Sequence, residues 1–215
     1  MRLAPVVKLY RNPWSATLED GVVLQILMTA ALSADDQLRG MQQEGDVEPD
    51  KDSFGVVLLD PTRPRTATTF AERVLATIEL GPHGAHFLPN AAAKADAHDR
   101  HGQSNDDLVY EAIHCLGNDD FAWGRSAEYA LAIGGGSGLS EEQDHELTLQ
   151  ILEEVMDEVG SRRGAWLKQQ RMDGGSQSWL NRDNLPGRQY QDILSMVQIA
   201  APDLVDEDSL YRAST

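Results

Sequence analysis

A chain of 215 residues with 41% apolar side chains can bury the core of one domain and is too hydrophobic to be a fully disordered polymer. Its 18 basic and 35 acidic residues leave a net charge of −17. The average surface therefore repels phosphate backbones and anionic lipid, which argues against nucleic acid and membrane as partners.

The first predicted element is an amphipathic helix over residues 17–32, with Leu18, Val22, Ile26 and Leu27 at mostly helical intervals and Thr17 as its cap. The run GVVLQILMTAALSA within it has the length of an export-signal core. Glu19 and Asp20 stand directly before it, where such a signal carries positive charge, so the run is read as helix. No apolar run reaches the roughly eighteen residues of a membrane span. The polar, acidic stretch 34–53 predicts a loop, and FGVVLL at 54–59 predicts a buried strand closed by Asp60-Pro61. The Thr-rich stretch from 66 to Gly81 predicts one long or two short strands. Asn90 then caps a helix that Gly102 stops, and Ser104 with Asp107 suggests a capping box for another helix through Leu116.

EYALAI predicts a strand running into a glycine turn at Gly134–Gly138. Ser140 with Gln143 forms a capping box for a helix that carries Leu147, Ile151, Leu152, Val155 and Val159 and stops at Gly160. Beyond 160 the pattern is less regular: a loop near 172–179, a helix near 188–200 and a frayed end. This order predicts an α+β fold, an antiparallel sheet flanked by helices, with a domain over 1–160 and a helical extension over 161–215.

The glycine turn IGGGSGLSEEQD has neither dinucleotide-binding spacing nor the Lys-Ser/Thr pair of a P-loop, and Glu141, Glu142 and Asp144 would repel a phosphate. A tight turn explains it. Successive N–H groups from Gly134, Gly135, Gly136, Ser137 and Gly138 could equally line a pocket for a carboxylate or carbonyl oxygen. In AAAKADAHDRHG, His98 and His101 are three apart and share a helix face, with Lys94 one turn earlier. Such a pair is either a solvated helix end or two ligands of a metal or haem, whose remaining ligands would come from residues such as His83, His86, His114 or Asp60. The single cysteine, Cys115, excludes an intrachain disulfide and fits a reducing, cytoplasmic setting. It does not face its neighbour His114 on a helix, and a buried structural role is expected for it.

AAAKADAHDRHGQSNDDL resembles the Lys-Ala helix of the GlcG/HbpS family, and LAIGGGSGLSEEQDHEL is similar to that family's closing strand, glycine turn and helix start. The anchors are Lys94, Ala95, Gly102, Ser104, Gly138, Ser140, Gln143 and Asp144, and the likeness spans roughly residues 17–160. DPTRPRTATT and IELGPHG depart from the family pattern, and the acidic stretch and the tail are additions. The resemblance implies a profilin-like α/β domain that assembles as a dimer or larger homo-oligomer, some relatives binding or degrading haem.

Two functions use the same residues. In the first, the chain binds a small, anionic molecule, haem being the one to test first: Lys94 supplies a cation, His98 or His101 an axial or proton-transfer group, and the glycine turn N–H donors. In the second it is a cofactor-independent isomerase, lyase or cyclase, with Lys94, His98 or His101 as general base and the glycine turn as an oxyanion site.

Overall fold

The computed structural model describes residues 3–48, 50–63, 68–104, 107–117 and 124–173. The elements run β1 (Val6–Leu9), α1 (Asp20–Glu44), β2 (Phe54–Leu59), α2 (Phe70–Arg73), β3 (Val74–Leu80), α3 (Gly84–His101), β4 (Ser126–Tyr129), β5 (Ala132–Ser137) and α4 (Glu141–Met172). The strands form one antiparallel sheet in the order β1-β3-β2-β5-β4. The α+β expectation is met.

Strand alternation divides the core into two layers. Phe54, Val56 and Leu58 of β2 and Ile78 and Leu80 of β3 pack with Val23, Leu27 and Ala31 of α1 and with Leu147, Ile151 and Val155 of α4. Val57 and Leu59 point the other way, with Ile133 of β5, onto Ala91 and Ala95 of α3. Two helices thus cover one face and α3 the other.

Several elements differ from the sequence expectation, each for a physical reason. Helix α1 continues through the acidic stretch to Glu44 because Ala34, Asp35 and Leu38 extend its buried stripe, and Gly45 in the left-handed region ends it. Thr17 does not cap it, since its hydroxyl donates to the Trp14 carbonyl at 3.1 Å. A short helix capped reciprocally by Thr69 and Glu72 stands where strand was expected before β3. Helix α3 begins at Gly84, ahead of Asn90, and tolerates Pro89 near its start. The expected helix before 116 is reduced to short helical turns at Asp107–Glu111 and Ile113–Cys115, and Cys115 is exposed rather than buried.

The largest difference is at the glycines. Gly134, Gly135 and Gly136 are not a turn but the middle of β5, paired on one side with β2 and on the other with β4. Glycine is required there by close packing. A Cβ on Gly135 would collide with the Ala91 carbonyl oxygen of α3, and one on Gly136 with the Thr148 hydroxyl of α4. Only Gly138, at φ 142°, is in a turn.

The Ser140–Gln143 capping box forms as expected, with Gln143 N donating to Ser140 Oγ at 3.4 Å and Ser140 N to Gln143 Oε1 at 3.3 Å. Helix α4 passes through Gly160 without a break. The contacts divide the chain into a first compact unit, Met1–Trp166, and a second that begins at Leu167. The loop, helix and frayed end expected beyond 173 lie outside the described residues. Among the described residues, no helix is long and apolar enough to cross a membrane.

Candidate functional site

Helix α3 carries one row of buried polar residues against the sheet. Lys94 is only 2% exposed, and its ammonium donates to Asp144 Oδ2 at 2.7 Å. Asp144 Oδ1 accepts from the Leu139 N–H at 2.8 Å. Burial pushes the Asp144 carboxyl above the usual carboxylate range, against the opposing pull of Lys94 and the Leu139 N–H. Lys94 is thereby committed to an ion pair between α3 and the first turn of α4.

One turn further along, His98 is 3% exposed. Its Nδ1 lies 2.8 Å from Ser126 Oγ and its Nε2 3.1 Å from Glu128 Oε2. Ser126 and Glu128 are alternate residues of β4, so the pleat aims both side chains at α3. Asp99 pairs with buried Arg73 from the end of α2, and Asp96 sits near the same guanidinium at 3.9 Å.

His98 borders a cleft of about 270 Å³ between the end of β2, the last turn of α3 and the β4–β5 hairpin. Leu59, Pro61, Leu131 and Ile133 supply its apolar walls, and Asp60, Arg63, His98, Asp99 and Glu128 its polar ones. Asp60 is held by Thr62, whose N–H and hydroxyl donate to Oδ1 at 2.8 and 2.7 Å. Of the three carboxylates in this lining, Asp99 pairs with Arg73 and Asp60 lies 3.8 Å from Arg63, so among the described residues Glu128, beside His98, is the one without a guanidinium partner, and a cationic group is favoured there over an anionic one.

Of the residues singled out from the sequence, Lys94 and His98 are buried and engaged as described. His101, at the C-terminal end of α3, is half-buried with an Nε2 that has no hydrogen-bond partner. Gly134, Gly135, Gly136 and Ser137 lie within the paired strand β5, which removes the succession of turn N–H groups that the sequence suggested as a pocket lining. Among the described residues, no group of three or more His, Cys, Asp or Glu side chains is arranged to hold a metal ion.

Sequence reasoning missed Ser126 and Glu128 as partners of His98, and missed the cleft contribution of Leu131. Their alternation within β4 was the only signal available, and nothing in it points to α3. No family model, curated protein or solved structure matches the chain.

Proposed function

We propose that the chain is a small-molecule-binding protein of GlcG/HbpS type whose binding site is the cleft beside His98. The observation that carries this reading is a buried imidazole, oriented by hydrogen-bonding partners at both ring nitrogens, at the edge of a cleft with one apolar and one polar wall. The family assignment is supported by the placement of the two stretches that carry the resemblance. They meet at the Lys94–Asp144 ion pair, with the first and last helices sharing one face of the sheet and the Lys-Ala helix on the other.

The cleft also narrows the ligand. Pockets for drug-sized ligands run from roughly 300 to 1,000 Å³, so about 270 Å³ suits a single ring or short chain better than a porphyrin. His98 does not fit axial ligation of haem, because both its nitrogens already have partners. His101 Nε2 makes no hydrogen bond but is itself buried, so a haem iron could reach it only if the end of α3 moved. With Lys94 bound to Asp144 and carboxylates on the cleft wall, the ligand is a small molecule with a cationic or hydrogen-bond-donating head and an apolar body, rather than the anion suggested by the sequence.

The second reading, a cofactor-independent enzyme, is favoured by one specific contact. Among the described residues, the Glu128 carboxylate accepts only from His98 Nε2, the ring nitrogen that a substrate would need, and it is the more exposed partner of the pair at 46%. A substrate that displaces it exposes His98 Nε2, which serves as general base in the tautomer whose Nδ1–H donates to Ser126 Oγ.

Titration calorimetry with 2-phenylethylamine, 3-phenylpropionate and haemin on the wild type and on His98→Ala tests the assignment. The amine should bind saturably and the carboxylate at least tenfold more weakly, and His98→Ala should lose the amine while keeping the wild-type circular dichroism spectrum. Amine affinity that survives in His98→Ala contradicts the site. A haemin Soret shift lost in His101→Ala would instead make haem the ligand.

A further inference from the structure

The hairpin that forms one wall of the cleft breaks a local rule. Tyr129 and Ala132 pair as the last residues of β4 and the first of β5, leaving a two-residue loop of Ala130 and Leu131 at φ 50° and 68°. Loops of this type need positive φ at both positions and favour Asn-Gly or Gly-Gly, because a Cβ there is strained. Leu131 is also 76% exposed. A bulky side chain in a disfavoured backbone conformation that buries little of itself gains nothing from the fold of the free protein, and such departures concentrate where a ligand is held.

The position of Leu131 supplies the reason. It lines the same cleft as His98 and Glu128, together with Leu59, Pro61 and Ile133. From this we infer that Leu131 is a specificity-determining residue: it closes over the apolar body of a ligand whose polar head lies at His98 and Glu128, and it becomes buried only when that ligand is present. The inference rests on the cleft being the binding site, and it adds that the apolar end of the ligand points towards the hairpin.

The test compares wild type, Leu131→Ala, and the turn-optimised double variant Ala130→Asn/Leu131→Gly, using 2-phenylethylamine and methylamine as probes and thermal unfolding as the measure of folding. The double variant should unfold at the same or a higher temperature, since Asn-Gly suits the turn. Both variants should bind 2-phenylethylamine on the order of tenfold more weakly, the contribution of a leucine side chain that loses its contact with an apolar body, while binding of methylamine is unchanged.

Unchanged 2-phenylethylamine affinity in both variants overturns the role of Leu131 and leaves the cleft as the binding site. A marked fall in unfolding temperature of the double variant overturns it as well, because Leu131 would then serve the fold itself. If the wild type binds neither probe saturably, the assignment of the cleft fails and this inference fails with it.

Discussion

Lys94 and Asp144 are each nearly inaccessible to solvent and 2.7 Å apart, and their removal one at a time has unequal consequences. Lys94→Met strands a carboxylate in the protein interior and should cost about 3–5 kcal/mol at neutral pH. The Asp144 carboxyl is already pushed upward by burial, and without Lys94 it rises further. A carboxyl raised in the folded state favours folding below its unfolded value, and that contribution is lost as pH rises through the folded one. Acidification towards that range should therefore return part of the stability of Lys94→Met. Urea unfolding of wild type and variant at neutral and mildly acidic pH checks this, and an equal deficit at both would contradict it. Lys94 and His98 stood out in the sequence because chemistry-bearing residues one turn apart on an alanine-rich helix are conspicuous. Ser126 and Glu128 did not, and Asp144, an anchor of the resemblance, carried no sign of its pairing with Lys94: these partners come from distant segments, and only the fold brings them together.

Helices α1 and α4 both outrun the ends that the sequence predicts, because an acidic composition hides a continuing buried stripe in one and a glycine imitates a stop in the other. Gly160 sits inside α4 with open space where a Cβ would go, as does Gly164. Gly160→Ala should raise stability by about 0.5–1 kcal/mol through helix propensity alone, read as a shift in the urea midpoint. A loss of stability would show that the helix does not run straight through this position. The opposite holds for β5, where Gly135→Ala would drive a methyl group into the Ala91 carbonyl of α3. That substitution should cost about 3 kcal/mol by the overpacking rule, and wild-type thermal stability would contradict the close approach of α3 to the sheet. The glycine run was legible as unusual, but a tight turn and a strand squeezed between two helix layers look alike until the strands on either side are known. The Ser140–Gln143 box is legible in the sequence for the opposite reason: both of its hydrogen bonds lie within four residues.

At the scale of the whole molecule, a net charge of −17 means that the compact state works against its own repulsion. Raising NaCl from about 20 to about 200 mM shortens the Debye length from roughly 20 Å to under 10 Å and should raise the unfolding temperature. A fall would mean that favourable ion pairs outweigh the net repulsion. The same acidity extends to the cleft, where among the described residues Glu128 stands without a guanidinium partner beside apolar walls, and it is the basis for proposing a cationic head in place of the anionic one that Lys94 suggested in isolation. The account stands or falls on His98 as the centre of that cleft. The most direct measurement is a nitrogen-15 NMR titration of the His98 imidazole with 2-phenylethylamine. A saturable shift of its ring nitrogens, with the other histidines unmoved, is the predicted result. No saturable change at His98, or a change spread equally over every histidine, would contradict it.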